Sequence, residues 1–179
     1  MNVVQPIKKI EDIQKIKKHF AKKPRDALLF SFGINTGLRI SDILSLDVGD
    51  VKGRDYIEIR EKKTNKYKKF PLNRFLKEEI DLFVEGLPSE QPLFYTQKHR
   101  RLDRAQAYRI LNKAAQAVGV KERIGTHTLR KTFGYHHYKK YNDIVLLQKI
   151  FNHSSPSVTL RYIGIEQDTI DESYMNFYL

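Results

Sequence analysis

One short stretch of alternating polar and apolar residues interrupts a sequence whose apolar residues otherwise recur at helical spacing. The alternation runs through Tyr56-Ile57-Glu58-Ile59, residues 67–70 supply a partner strand, and residues 63–66 lie between them as a turn. On either side, apolar residues stand three and four apart, as in residues 10–20 and 105–118. The chain is therefore predicted to be α+β and mainly helical, a helical bundle with a small antiparallel β-sheet.

Residues with special backbone preferences mark where the predicted helices begin and end. Three residues that tolerate the left-handed conformation are expected to close helices: Gly37, Asn152 and Gly164. Side chains that accept a hydrogen bond from a backbone N–H are expected at three helix starts: Thr126, Asp143 and Ser155. The stretch 87–103, which contains prolines and several basic residues, is predicted to be a long exposed loop.

The composition suits one folded domain in a reducing compartment. With 179 residues, 40% of them hydrophobic, the chain can bury its own core, and residues 1–179 are expected to form one domain. No run approaches the ~18 apolar residues that a membrane span needs, and no targeting signal is recognisable. The sequence has no cysteine, which excludes disulfides and thiolate zinc sites. A cytoplasmic location is expected.

The net charge of +12 is the compositional feature that says most about binding partners. Such an excess favours polyanions, with nucleic acid as the first candidate and an anionic membrane surface as the second. A membrane binder is expected to gather its charge on one amphipathic helix. Here the basic residues fall into separate clusters at residues 15–25, 60–69 and 98–104, which suits a surface that wraps a duplex. Each cluster alone is better explained as a solvated face.

Five widely separated residues carry side chains that share one chemical partner, a phosphate: Arg39, His127, Arg130, His153 and Tyr162. Guanidinium groups match phosphate oxygens with two-pronged geometry and stay charged. A tyrosine hydroxyl has a pKa near ~10, so it needs a base and good alignment before it can attack phosphorus. Taken singly, each residue has a plainer interpretation as a helix cap, a surface charge or a core aromatic. Their combination favours cleavage and rejoining of a phosphodiester.

Three short segments contain these residues: Thr36-Gly37-Leu38-Arg39-Ile40-Ser41-Asp42, Thr126-His127-Thr128-Leu129-Arg130, and Asn152-His153-Ser154-Ser155 with Tyr162 nine residues beyond His153. In order and spacing they resemble the signature segments of the tyrosine recombinases, the phage integrase family. The resemblance runs from about residue 10 to the end of the sequence and is to that family's catalytic domain. It implies a recombinase or integrase that cleaves and religates DNA through a 3′-phosphotyrosyl intermediate. One departure is Asn152, where members often have glycine.

The resemblance also implies a role for each side chain and implies that no cofactor or metal ion is used. Tyr162 is the expected nucleophile and His127 its base. Arg39, Arg130 and His153 are the groups expected to hold the phosphate and to neutralise its growing charge.

The acid that protonates the leaving 5′ oxygen is expected in the hairpin turn. Lys63 is the best positional match, and Lys62 and Lys66 remain alternatives. Asp42, one helical turn after Arg39, either orients that guanidinium or is a helix-surface charge.

Double-stranded DNA is the expected partner, together with further copies of the same chain. DNA contacts are expected from five basic side chains: Lys62, Lys66, Lys68, Arg100 and Arg101. A homo-tetramer on DNA is expected, in which residues 170–179 either exchange between subunits or pack onto their own core. No separate N-terminal core-binding domain and no membrane partner are expected. Two other functions stay open: a non-cleaving DNA-binding regulator derived from a recombinase, and relaxation of supercoils in the manner of type IB topoisomerases.

Overall fold

The described residues form a mainly helical fold with one β-hairpin. The computed structural model describes residues 4–63, 65–122 and 124–178. Within these ranges the elements are α1 (Ile10–His19), α2 (Pro24–Thr36), α3 (Ile40–Ile43), β1 (Tyr56–Arg60), β2 (Tyr67–Pro71), α4 (Arg74–Val84), α5 (Arg104–Ala117), α6 (Thr128–Tyr141), α7 (Ile144–Phe151), α8 (Pro156–Ile163) and α9 (Ile165–Asn176). None of these helices is long and apolar enough to cross a membrane. The predicted α+β class is confirmed.

The hairpin pairs β1 and β2 as antiparallel strands, in a register that sets Tyr56 opposite Pro71. Because side chains alternate along a strand, Ile57 and Ile59 lie together on the buried face of β1. The other face of β1 is exposed, so the hairpin covers the core with one side only. The predicted turn connects the two strands, and Thr64 within it lies outside the described residues.

Two hydrophobic clusters hold α6 between them. The larger one surrounds α2, whose Phe30 and Phe32 are buried and which packs against α4 and α6. The smaller one joins Phe151 of α7 and Ile163 of α8 to the other side of α6. Gly134 makes this second approach possible, since a Cβ there would lie 2.6 Å from Ile163 and 2.7 Å from Phe151. Helix α6 is therefore fixed on two sides before any polar contact is considered.

Most helix ends follow the local sequence. The three left-handed closures occur as predicted, with φ of 63° at Gly37, 53° at Asn152 and 81° at Gly164. Asp143 and Ser155 accept the expected hydrogen bonds from backbone N–H groups of α7 and α8. These positions needed only local backbone preferences to be recognised.

The start of α6 differs from the prediction that Thr126 caps it. The helix begins at Thr128, and its N-cap position is His127, whose side chain makes no capping hydrogen bond. Thr128 closes the preceding turn instead, because its Oγ1 accepts a 2.9 Å hydrogen bond from the Gly125 N–H. Two threonines stand two residues apart in the sequence, so local propensity could not choose between them.

The prediction of a long exposed loop at residues 87–103 is wrong in its central part. Leu93 and Phe94 are completely buried. The Leu93 N–H donates to the Leu46 carbonyl at 2.9 Å, and Phe94 meets Phe32 edge to face with ring centroids 6.1 Å apart. Two apolar residues are too short a run to show a period, so no sequence pattern indicated that this loop packs against the core.

Large apolar side chains near the C-terminus are exposed to solvent. Their exposed fractions are 81% for Tyr174, 86% for Met175, 69% for Phe177 and 97% for Tyr178. The alternative that this segment packs onto its own core is therefore wrong for these four residues. Leu179 lies outside the described residues.

Candidate active site

Arg130 is the residue through which the three predicted segments meet. Its side chain is buried, with only 2% of the residue exposed. Nη1 donates to the Gly37 carbonyl at 2.6 Å, and Nη2 donates to the Phe151 carbonyl at 2.8 Å. The guanidinium carbon lies 4.2 Å from the centroid of the Phe151 ring, within cation–π range. One side chain on α6 is thus bonded to the end of α2 and to the end of α7.

Arg39, the residue that directly precedes α3, extends its side chain into the same region. It adopts an extended backbone there, and its side chain is 15% exposed. Nη1 lies 2.9 Å from Oε1 of Glu61 and 4.0 Å from Oδ2 of Asp42. Despite the short first distance, Nη1 is not aligned as a hydrogen-bond donor to any acceptor among the described residues. The contact of Arg39 with Glu61 is therefore an ion pair without good hydrogen-bond alignment.

Asp42 joins α3 to the hairpin turn. The residue is 1% exposed, and its Oδ1 accepts a 3.0 Å hydrogen bond from the Lys62 N–H. Its other oxygen is at the limit of an ion pair with Arg39. A helix-surface charge, one of the two sequence interpretations, is excluded by this burial.

Two charged residues of this region escaped the sequence analysis. Glu61 is 3% exposed and is the nearer carboxylate to Arg39, although it stands among lysines that suggested a surface. The one available signal was the alternation itself, which continues from Ile57 and Ile59 to Glu61 on the buried face. Lys131 is 7% exposed, and its Nζ lies 5.0 Å from the centroid of the Tyr162 ring. Nothing in the sequence distinguished it from other lysines.

Tyr162 and His127 face each other across the rim of the cluster. The Tyr162 hydroxyl is 3.4 Å from Nδ1 of His127. Burial raises the pKa of Tyr162, and the charges of Arg130 and Arg39 oppose that rise. Partial burial lowers the pKa of His127, assisted by nearby cations of which Arg104 contributes most. At neutral pH His127 is therefore an uncharged imidazole, which is the form that can accept a proton.

His153 is held in one orientation by α8. Its Nδ1 lies 3.1 Å from Oγ1 of Thr159, whose hydroxyl donates to the Ser155 carbonyl at 3.1 Å. Since that hydroxyl proton is already used, Nδ1 is the donor in the first contact, and the neutral ring carries its lone pair on Nε2. The ring meets Tyr162 edge to face at 5.0 Å between centroids. Burial, then the charges of Arg130 and other cations, lower the pKa of His153 to about 4.

The hairpin lysines occupy different positions around the cluster. Lys63 is exposed, and its charge contributes to lowering the pKa of His153. Lys66 Nζ donates to Oδ1 of Asn152 at 3.0 Å. Lys68 is more enclosed, and burial, the largest cause, lowers its pKa to about 8. Lys62 is exposed, and its backbone N–H is bonded to Asp42, which leaves its side chain unassigned. Which of Lys62, Lys63 and Lys66 is the acid stays a prediction.

Arg100 and Arg101 lie apart from this cluster. Both line a cleft of 740 Å³ beside α5, together with further basic residues: Arg25, Lys98, Arg109 and Lys113. Nη1 of Arg101 donates to the carbonyls of Leu44 and Leu46 at 2.9 and 3.0 Å, and Nη2 donates to Asp47 at 2.6 Å. The guanidinium of Arg101 therefore also fastens the loop to the end of α3. Across the described ranges, no group of three or more His, Cys, Asp or Glu residues is placed to hold a metal ion.

The buried Arg130 and the partly exposed Arg39 lie beside a tyrosine that two histidines contact, on a helical fold with one hairpin. Together these features define a class of protein. The phage integrase family model matches residues 6–168, and the chain belongs to that family, the tyrosine recombinases.

Comparison with individual proteins adds detail. The chain is 50% identical to the probable integrase/recombinase YoeC of Bacillus subtilis, over 99% of this chain and 98% of that protein. Its fold is similar to that of the XerA recombinase, with a TM-score of 0.77 and 20% identity over 96% of this chain and 65% of that one. Its fold also resembles that of a chain in the lambda integrase tetramer bound to a Holliday junction. The TM-score is 0.73 and the identity 20%, over 90% of this chain and 49% of the integrase chain. The chain spans about half the length of several other curated tyrosine recombinases that it matches.

Proposed function

We propose that this chain carries out site-specific DNA recombination or integration, by cleaving and religating DNA strands through a 3′-phosphotyrosyl intermediate. The observation that carries the proposal is the grouping of Arg39, Arg130, His127 and His153 around the hydroxyl of Tyr162. Every one of these side chains suits a phosphodiester, and they come from four separate parts of the chain.

Cleavage begins with attack of the Tyr162 oxygen on phosphorus. The O–P bond to Tyr162 forms, the bond from phosphorus to the 5′ oxygen breaks, and the tyrosine proton passes to Nδ1 of His127. The 3.4 Å separation is longer than an ideal hydrogen bond, as is common before substrate binds. Burial raises the pKa of Tyr162, so a base is required at neutral pH.

The phosphate is held by the two guanidinium groups and by His153. Nη1 of Arg39 is paired with Glu61, which orients the guanidinium, and its other N–H groups are the donors proposed to bind a phosphate oxygen. Preorganised donors of this kind contribute ~3 to 4 kcal/mol each in comparable oxyanion sites. Burial, the largest cause, and nearby cations lower the pKa of His153, and the negative charge of a bound phosphate would oppose the effect of the cations. That opposition favours uptake of a proton by the ring and donation from Nε2.

The leaving 5′ oxygen takes its proton from Lys63. This lysine stands on the turn, and its charge is felt by both His127 and His153, which supports a position above the phosphate. Religation reverses each proton transfer, so the ester itself conserves the energy of the broken bond and no nucleotide cofactor is needed.

Double-stranded DNA is the proposed substrate, and several copies of the chain are proposed to assemble on it. The charge of +12 supports DNA binding, with contacts from Lys62, Lys66, Lys68, Arg100 and Arg101. The similarity to a lambda integrase tetramer on a Holliday junction supports a tetramer. The exposed apolar side chains of residues 174–178 support exchange of this segment between subunits.

The test is trapping of a covalent adduct on nicked suicide duplexes whose cleavage region is randomised. Wild type should give a protein–DNA adduct, which sequencing of the trapped strands would map. Tyr162→Phe should give none, whereas Tyr141→Phe, at a tyrosine that is 56% exposed at the end of α6, should behave as wild type.

The other outcomes each contradict part of the proposal. An adduct that persists in Tyr162→Phe would refute the nucleophile. Salt-sensitive duplex binding without any adduct would favour a DNA-binding regulator. Adduct formation with relaxation of supercoiled plasmid, but without strand exchange, would favour a topoisomerase-like activity.

A further inference from the structure

Two lysines of the hairpin bond to the end of α7, next to His153. Lys66 Nζ donates to Oδ1 of Asn152 at 3.0 Å. Lys68 Nζ donates to the Ile150 carbonyl at 2.9 Å. These four residues line a small cleft of 140 Å³ between hairpin and helix. Lysine ammonium groups and the oxygens that end a helix are a favourable pairing, since the helix C-terminus carries partial negative charge.

Asn152 performs two separate tasks in this contact. Its backbone adopts φ 53° and ψ 47°, the left-handed conformation that ends α7. Glycine would satisfy that backbone requirement equally well. Only a side chain with an acceptor oxygen can also reach Lys66, so the asparagine supplies something that the helix end itself does not need.

The Lys66–Asn152 hydrogen bond is one of two contacts that hold the turn on either side of Lys63. On one side, the Lys62 N–H donates to Oδ1 of Asp42 at 3.0 Å. On the other side is Lys66, bonded to Asn152. Within the turn, the Asn65 N–H donates to the Glu61 carbonyl at 2.8 Å. Lys63 therefore stands on a short segment that is tied to α3 at one end and to the start of the His153 segment at the other.

We propose that Asn152 is a positioning residue, which holds the hairpin turn through Lys66 so that Lys63 is presented to the 5′ oxygen. The proposal rests on the proposed function, since it assumes that Lys63 is the acid of the cleavage step. The hydrogen bond from Lys68 to the Ile150 carbonyl is less exposed than the Lys66 bond and joins β2, the strand after the turn, to the end of α7.

Asn152→Gly tests this with a matched control in the same chain. It keeps the left-handed backbone and removes only the amide. Asn142 closes α6 in the same conformation, with φ 51°, so Asn142→Gly makes the same chemical change at a helix end away from the hairpin. Folding of both variants would be compared by thermal unfolding.

Cleavage rates on two substrates distinguish a misplaced acid from damage to the rest of the site. Each protein is tested in single-turnover cleavage of two duplexes, one natural and one with sulfur in place of the bridging 5′ oxygen. A thiol leaving group has a pKa near ~8.5 and does not need the acid. Asn152→Gly should cleave the natural duplex roughly 3- to 10-fold more slowly, as expected for loss of one solvent-exposed hydrogen bond, and should cleave the sulfur duplex at the wild-type rate. Lys63→Met should show the same pattern more strongly, and Asn142→Gly should match wild type on both.

A second arm checks that Asn152 acts through Lys66. Because Lys66 is also a proposed DNA contact, Lys66→Met is expected to slow both duplexes, and the natural duplex more than the sulfur duplex. Adding Asn152→Gly to Lys66→Met should cause no further slowing of the natural duplex. Equal slowing of Asn152→Gly on both duplexes, or no slowing on either, would overturn the positioning role while leaving the proposed function intact. Failure of wild type to form an adduct on both duplexes would instead refute the proposed function.

Discussion

Replacing Lys68 with methionine would measure how much the free energy of unfolding is lowered by a lysine cation that lies near Arg130 and Arg39. Lys68 is enclosed at the base of the cluster, where Arg130 and Arg39 repel its charge and Glu61 and Asp42 attract it. It bonds to the Ile150 carbonyl of α7 and lies near the ring of Phe70 on its own strand. Methionine keeps an unbranched stem of similar length and removes the charge.

The magnitude follows from the pKa of Lys68, which burial lowers from 10.5 to about 8. At ~1.4 kcal/mol for each pKa unit, the free energy of unfolding is lower by about 3 kcal/mol when the ammonium must stay charged in the folded state. Between pH 8 and 10.5 the unfolded chain binds a proton that the folded protein has released. Stability contributed by this residue therefore rises with pH across that window and is lowest below it.

Urea unfolding of wild type and Lys68→Met between pH 7 and pH 10.5 would test this, because their difference cancels the titration of other groups. The free energy of unfolding of wild type, relative to the variant, should rise by about 3 kcal/mol over the range. Lys69→Met is the control, since Lys69 is on the same strand but pairs with Glu58 at the surface, which raises its pKa. Its difference should stay small and fall slightly with rising pH. A flat difference for Lys68→Met would refute the reasoning.

Three further changes should have measurable effects. The pKa of His153 is about 4 in the folded protein against 6.5, so stability should be lost as pH falls through that interval. Solvent reaches the ring, so the loss should be only about 1 to 2 kcal/mol, and chemical denaturation of wild type and His153→Asn at pH 7 and 4.5 would detect it. Gly134→Ala should lower stability by about 1 to 3 kcal/mol in thermal unfolding, because its methyl group would meet Phe151 and Ile163 at under 3 Å. Arg130→Lys should reduce adduct formation about 100-fold or more and also lower the melting temperature, since one ammonium cannot bond two separated carbonyls; an unchanged melting temperature would contradict its structural role.

The parts of the fold that were predictable depend on local chemistry. The helix closures at Gly37 and Asn152 follow from residues that accept positive φ, and the hairpin follows from a period of two. The predictions failed where the deciding contact is remote in sequence. Thr126 does not cap α6, and Leu93 and Phe94 anchor a loop that was expected to be exposed.

In the candidate site, too, some features were predictable from the sequence and others depended on contacts between residues that are remote in sequence. The types of side chain and their order along the chain were enough to name Arg39 and Tyr162 as members of one cluster. The sequence could not show that Glu61 is the carboxylate beside Arg39, because the alternation that continues to Glu61 indicates its face of the strand and not its partner. The catalytic roles of these residues stay predictions until cleavage is measured.

By itself, the sequence determined the chemistry available to this protein, since residue type fixes which groups can hold a phosphate, accept a proton or attack. It also determined most helix ends and the hairpin, since backbone preference and apolar spacing act over a few residues, but not the start of α6. Only the tertiary structure decided which charges are neighbours and how their proton affinities shift. The physical reason is that desolvation and Coulomb interactions depend on distances in space, and these are set by the packing of α6 against two hydrophobic clusters.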